Sequence, residues 1–316
     1  MSVFLARRFL SFLLTVWGAS VIVFVMLEVL PGDPALTMLG VDAPPSAVAA
    51  LRTELRLDRP APERYLDWIA GLAHGELGNS YTYKVPVTEL IGQRLQVTLP
   101  LALGAMALAT LIALSLGVFA AANHNRPGDY GVMAFSQIGL ALPDFWFGIL
   151  LIILFAVIRN WLPSGGFPGW DAGLLPALRA LLLPVCTLAL TLSAIMVRIT
   201  RSSVLEVMRE DFVRTARAKG LSRRATLWGH VLRNALIPVV TIMGLLFANA
   251  MAGTIVIENV FALPGIGKLV FGAISNRDLV VVKDVVLLLA ALVVAVNFVV
   301  DILYAVVDPR VRLHER

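Results

Sequence analysis

Scanned for apolar positions, the chain resolves into six windows in which charged side chains are scarce: Phe9 to Leu30, Val97 to Ala122, Tyr130 to Val157, Leu181 to Ile199, Leu236 to Ile257 and Val285 to Val307. A helix needs about 20 apolar residues to cross the hydrocarbon core of a bilayer. Within lipid only a helix or a closed barrel satisfies its own backbone hydrogen bonds. A barrel would show short segments alternating apolar and polar residues, and none of the six windows alternates. The pattern therefore predicts an all-α membrane protein with six transmembrane helices.

Composition agrees. Hydrophobic residues fill 59% of the 316 positions and charged residues 15%, which leaves too few polar side chains to cover a water-soluble domain. Arg7 and Arg8 precede the first window as in a secretory signal. That apolar run is longer than a signal core and has no cleavage site before Glu28, so a retained first span is expected. Cys186 is the one cysteine and lies in the fourth window, which excludes an intrachain disulfide and a thiolate metal site. The net charge of +5 is concentrated, with nine of the 26 basic residues between Arg198 and Arg233 against three acidic ones there. So local an excess needs a local explanation, and no nucleic-acid partner is expected from it.

Lys and Arg flanking a span remain in the cytoplasm, so the 198–233 segment is expected inside. Six crossings then place residues 1–8, the short loop carrying Arg126 and the tail carrying Arg310, Arg312 and Arg316 inside as well, with both termini cytoplasmic. The resulting organisation is an N-terminal segment and first span over 1–30, an external segment over 31–96, a core membrane domain over 97–310 containing a cytoplasmic loop at 201–235, and a tail over 311–316. In the external segment, PGDP at 31–34 and APPS at 43–46 are turn-formers, and Ser46 is placed to cap a short helix through Arg56. ERYLDWIAGLAHG at 63–75 sets Tyr65, Trp68, Ile69 and Leu72 at helical spacing, as for a helix lying along the membrane surface.

The basic loop carries its own signals. Leu205, Met208, Phe212 and Ala216 recur every three or four residues, predicting a helix from Arg201 to Lys219 with Arg209, Arg214 and Arg217 on other faces. Gly220 supplies a C-terminal stop and Ser222 is placed to cap a second helix through Trp228 to Arg233. The small residues Ala216, Ala218 and Gly220 leave room for a close neighbour. The plain alternative is a loop made basic only by its position inside the cell.

Other constellations carry less. ALPGIGKLV at 262–270 has Ala262 and Leu269 where a phosphate-binding loop needs glycine and Ser or Thr, so nucleotide must be handled by another polypeptide. His74, His124, His230 and His314 are scattered over different loops and suggest no metal or catalytic cluster. No HExxH or GxSxG motif is present.

RTARAKG at 214–220 followed by HVLRNALIP at 230–238 resembles the EAA loop of ATP-binding-cassette importer permeases, in the variant of the dipeptide, oligopeptide and nickel branch. LPGDPA at 30–35, LRLDRPAPERYLDWI at 55–69, HGELGNSY at 74–81, LPDFWFGILL at 142–151, RITRSSVLEV at 198–207, ENVFALPGIGKL at 258–269 and VDPR at 307–310 resemble stretches of that branch in the same order. Arg214 stands where the general family has glutamate, and Arg233 where many permeases have proline, with Pro238 five residues later; both departures are typical of the branch. The resemblance implies a type I ABC importer permease fold in the cytoplasmic membrane of a prokaryote. It also implies that Phe212, Arg214, Thr215, Ala216, Arg217, Ala218, Lys219, Gly220 and Leu221 form the coupling helix that docks an ATPase. The implied partners are a second homologous permease, two cytoplasmic ATP-binding subunits, an external substrate-binding protein and membrane lipid. No cofactor is expected in this chain, ATP and Mg being held by the ATPases, and no enzymatic activity of its own.

An ion-gradient-driven carrier is the rival reading, since it too would be a greasy helical bundle. Such carriers need ionisable groups within their spans. Glu28, Glu258 and Asp301 fall toward predicted span ends and only Asp144 approaches a midplane. A carboxylate there must face protein or a watery cavity. Asp144 is accordingly a candidate for the translocation pathway, together with Asn249 and Asn297, and its alternative role is a structural bond to one of those asparagines.

Overall fold

The computed structural model of the protein describes residues 2–29, 34–40, 43–54 and 56–307. Most of the PGDP turn, and Arg310, Arg312, His314, Arg316 and the 311–316 tail, lie outside the described residues, as does the Asp301 side chain. Regular structure among the described residues is helical: α1 (Ser2–Val29), α2 (Pro34–Leu39), α3 (Pro45–Glu54), α4 (Ala61–His74), α5 (Val87–Ala122), α6 (Pro127–Ala141), α7 (Asp144–Leu151), α8 (Leu174–Val207), α9 (Asp211–Ala218), α10 (Arg223–Thr226), α11 (Leu232–Val260), α12 (Ile266–Ser275) and α13 (Leu279–Val307).

Five helical stretches are long and apolar enough to cross a bilayer, and α6 with α7 makes a sixth if the pair is counted as one span. The third window is therefore not the single helix expected. It bends by 102° between α6 and α7. Pro143 is the cause: it has no N–H to continue the ladder and forces Leu142 into extended backbone at φ −87 and ψ 126. The other helices outrun their windows. α5 is 36 residues long, α8 is 34, and the helical stretch Arg223–Val260 is 38. Hydropathy registers only the lipid-length part, while helices built of good formers continue past it.

The chain forms two compact units. Among the described residues, one comprises 98–263 with 2–6 and 295–307. Its centre is α8, which packs against α6, α7 and α11. Van der Waals contact must replace the hydrophobic effect between helices in lipid, so small residues sit where backbones come close. At Gly117 of α5 a Cβ would stand 2.7 Å from Thr200 Cβ of α8, which leaves room for hydrogen only.

The other unit comprises residues 7–97 and 264–294. Its core joins Val87, Leu90 and Ile91 of α5 to Ile266, Leu269, Val270 and Ala273 of α12 and to Val281, Val282 and Val285 of α13. Asp278 ties the connecting loops together. Its Oδ2 accepts from Ser80 Oγ at 2.6 Å and Thr82 N at 2.9 Å, and its Oδ1 accepts from Val281 N at 3.3 Å, capping α13. α3 begins at Pro45, a residue suited to a first turn, so Ser46 lies inside the helix and is not its cap. That helix stops at Glu54, short of Arg56, which has φ +55. α4 has the expected extent and ends in Gly75 at φ +78. Its aromatic face is engaged by protein instead of lying bare for a membrane surface: Tyr65 and Trp68 pack on Phe24 of α1, and Tyr65 Oη shares a 2.9 Å hydrogen bond with Ser20.

Candidate functional site

The basic segment begins as α8 ends. Instead of one helix from Arg201 to Lys219, the backbone turns at Met208–Glu210 and restarts as α9. Glu210 takes an extended conformation at φ −66 and ψ 147, and Asp211 puts a carboxylate in the first turn of α9, where the exposed N–H groups favour negative charge. Gly220 then ends the segment with φ +89, a left-handed conformation that glycine adopts without strain. Leu221 N closes the turn on Ala216 O at 3.3 Å. Ser222 caps α10 as expected, its Oγ accepting from Ala225 N at 3.2 Å. The helix it starts does not stop at Arg233. It passes through a π-turn at Leu227–Val231 into α11 without a break.

α9 has one inward edge. Val213 is buried with Val118 and Ala121 of α5, Val204 of α8, Val231 and Ala235, and Ala216 is buried on the same helix. The rest faces out. Phe212, Arg214, Thr215, Arg217, Ala218, Lys219, Gly220 and Leu221 are all exposed, and two of these are large and apolar, Phe212 at 42% and Leu221 at 40%. Of the nine residues the resemblance singled out, Ala216 alone is inward. Its small side chain fits α9 to its own bundle, not to an approaching neighbour. Among the described residues Arg214 pairs only with the exposed Asp211 of its own helix, at 3.2 Å. The short helix α9 and the Gly220 turn after it thus present cations and two large apolar side chains outward.

The residues that hold this platform were not evident beforehand. Asp129, in the first turn of α6, is 1% exposed and takes a bidentate pair from Arg201 of α8: Nε to Oδ1 at 2.6 Å and Nη2 to Oδ2 at 2.7 Å. Asn125 N donates to the same Oδ2 at 3.0 Å, and His124 Nδ1 lies 3.3 Å from it. Two further bonds fasten the segment to its supports. Arg223 Nη2 donates to Ala122 O at 3.1 Å, and Ser203 Oγ of α8 donates to Ala235 O of α11 at 2.9 Å. The Pro-Gly-Asp sequence at 127–129 announced the helix start, but no local pattern pairs Asp129 with a residue 72 positions away.

The candidate pathway residues are dispersed. Asp144 opens α7 after the Pro143 bend, is half-buried and accepts a hydrogen bond from Thr191 of α8. Neither asparagine serves it. Asn249 is exposed on α11, and Asn297 of α13 is exposed with its Oδ1 beside Gly244. Glu258, expected near a span end, is fully buried at the end of α11 and accepts from Thr98 Oγ1 at 2.5 Å.

Long apolar helices, with the short polar helices α9 and α10 set between α8 and α11 in the chain, make a polytopic membrane protein. The family described as "Binding-protein-dependent transport system inner membrane component" matches residues 113–313, and the corresponding N-terminal family matches residues 1–102. A relative from Brucella abortus (strain 2308) is 43% identical over 293 residues, covering 93% of each chain. The dipeptide transport system permease protein DppB of Escherichia coli (strain K12) is 37% identical over 333 residues, covering 98% of each. Among solved structures, an inward-facing MetNI methionine ABC transporter has a chain that superposes with a TM-score of 0.57 at 19% identity, covering 69% of this chain and 96% of that one, a likeness of fold. The chain belongs to the binding-protein-dependent transport system inner membrane components, in their peptide branch: it is a permease subunit of an ABC importer and a multi-pass protein of the bacterial inner membrane. The importer reading thus prevails over the ion-driven carrier.

Proposed function

We propose that the chain carries di- or oligopeptides, or a related small solute, and that the energy comes from ATP hydrolysed by separate subunits docked on α9 and the Gly220 turn. The observation that supports this reading is the division of α9 and its turn: Val213 anchors it to the bundle, Ala216 is buried, and Phe212, Arg214, Arg217, Lys219 and Leu221 are left outward. ATP and Mg belong to those subunits, and this chain binds no cofactor. A docked ATPase requires α9 in the cytoplasm, and six crossings then place both termini there too. The complete importer pairs this chain with a second homologous permease, two ATPases and an external binding protein that meets the 31–96 segment. Asp144, Asn249 and Asn297 line the pathway in this scheme, and the bound ATPases select one arrangement of the bundle by their differing affinity for the two.

Gly220→Val tests the docking. A Cβ at this position meets open space within the chain, so the change acts through backbone strain of about 2 kcal/mol at a positive φ and through bulk presented to a partner. Transport should fall at least ~10-fold and the ATPase should no longer co-purify, with normal amounts of the chain in the membrane. Normal transport with the ATPase retained would overturn the assignment.

A further inference from the structure

A cavity of about 330 Å³ opens in the unit formed by residues 7–97 and 264–294, among α1, α4 and the start of α13. Three donors on its wall have no acceptor among the described residues. Arg64 Nε is buried and unpartnered, although the same guanidinium gives its Nη2 to Glu28. The Lys283 ammonium sits 4.7 Å from the Trp68 ring centroid, within the field of the neighbouring Asp284 carboxylate but not in a direct ion pair with a described residue. The Tyr81 hydroxyl has no hydrogen bond, and burial, with Asp278 and Asp284 nearby, pushes its pKa up to about 12, so it remains a neutral donor.

Trp68 holds this arrangement rigid. Its Nε1 donates to the buried Asp284 Oδ1 at 2.7 Å, which fixes the ring face on which Lys283 rests. An aromatic face offsets only part of the desolvation of an ammonium. The other charges on the wall are largely spoken for: Glu28 by Arg64, and Asp67 by Arg56. Lys283 and the exposed Glu76 are left, a cation and an anion in the same cavity. Phe24, Leu27, Leu279 and Val280 supply apolar wall beside them.

We propose that this cavity binds a zwitterionic ligand whose oxyanion is held by Lys283 and Tyr81 Oη beside the Arg64 guanidinium, with Glu76 favouring the ammonium that accompanies it. Two sources carry that chemistry. One is the phosphoethanolamine head group of a membrane phospholipid, whose acyl chains would continue along apolar helix surface at the depth where Trp and Lys favour the interface. The other is a free amino-acid or peptide zwitterion. The site stands on the cavity itself and is independent of how α9 is used.

Binding is measured by native mass spectrometry on the full chain purified with its partner subunits, with three probes: short-chain phosphatidylethanolamine, short-chain phosphatidylglycerol and alanylalanine. One zwitterionic probe should saturate. Phosphatidylethanolamine alone identifies the lipid source, and alanylalanine alone the solute source. Lys283→Met should weaken that binding at least ~10-fold and Lys283→Arg by no more than ~3-fold, since a desolvated charged contact is lost in the first and kept in the second. Glu76→Gln should narrow the preference for phosphatidylethanolamine over phosphatidylglycerol, or weaken alanylalanine, by ~3-fold. Should Lys283→Met fail to assemble, Tyr81→Phe provides the reading, with an expected weakening of ~3-fold. No saturable binding of either zwitterion, or unchanged affinity in an assembled Lys283→Met or Tyr81→Phe complex, would overturn the proposal.

Discussion

The two polar segments of this apolar chain treat their arginines in opposite ways. In the 31–96 segment three arginines are turned onto carboxylates: Arg56 and Arg59 both reach Asp67, at 3.4 and 3.0 Å, and Arg64 reaches Glu28. In the basic segment Arg214 has only Asp211 beside it, 76% and 94% exposed respectively, and Arg217 and Lys219 stand outward on the same short helix. In the reading proposed above, the outward cations of this short helix are the ones offered to an ATPase, whereas the paired arginines complete the chain's own structure. Arg201, like Arg223 on Ala122 O, is turned inward. It belongs by sequence to the basic segment, yet it is spent on Asp129 to anchor the platform from which the others project.

The largest effect is therefore expected at that anchor. Asp129→Ala leaves Arg201, whose side chain is 19% exposed, without its bidentate partner at the foot of α8. Loss of one member of a buried pair costs roughly 3 kcal/mol. The thermal midpoint of the purified complex should drop by several degrees and the yield with it. Arg201→Met in the same chain should recover part of the loss, because it removes the stranded charge. If Asp129→Ala matches the wild type in thermal midpoint, the pair is not an anchor and the contrast between the two kinds of arginine fails.

A smaller and qualitatively different effect is expected on α9. Reversing charge in Arg214→Glu with Arg217→Glu touches no buried group, so stability should change by less than about 0.5 kcal/mol. ATPase co-purification should nevertheless fall ~10-fold, with a steeper salt dependence in the wild type than in the variant, since exposed cations act through a screened field. Equal change in stability and in co-purification would mean that α9 is only part of the bundle.

These contrasts were unevenly legible in the sequence. Gly220 and Ser222 act within a few residues of themselves, so composition and spacing announced the turn and the cap. The break at Pro143 was missed, the third window being read as one span, and its 102° size depends on what α7 packs against once the ladder is interrupted. The stop at Met208–Glu210 was hidden under a periodicity that runs on from Leu205 through Met208 to Phe212, the apolar spacing being kept across a turn by the core that Val204 and Val213 share. The pairs Asp129–Arg201, Asp144–Thr191 and Thr98–Glu258 join residues 72, 47 and 160 positions apart, and they exist only once helices have packed. A single chain reveals which residues are polar within a span, but not which polar residue another span will offer them.

The smallest effect, and the finest test of the comparison, is expected at Arg56. Its bond to Asp67 is long at 3.4 Å, both side chains are about half exposed or more, at 63% and 48%, and Asp67 keeps a second partner in Arg59 at 3.0 Å. Exposed pairs of this kind contribute about 0–1 kcal/mol, and a shared carboxylate lowers the increment further. Arg56→Gln should therefore shift the thermal midpoint of the complex by no more than about 1–2 °C and leave transport and ATPase co-purification unchanged. Adding Arg59→Gln removes the second partner and should produce a drop larger than the sum of the two single changes, because only then is Asp67 left alone. Strict additivity would show that Asp67 is served by water as well as by arginine, and that pairing in this segment is incidental to its fold.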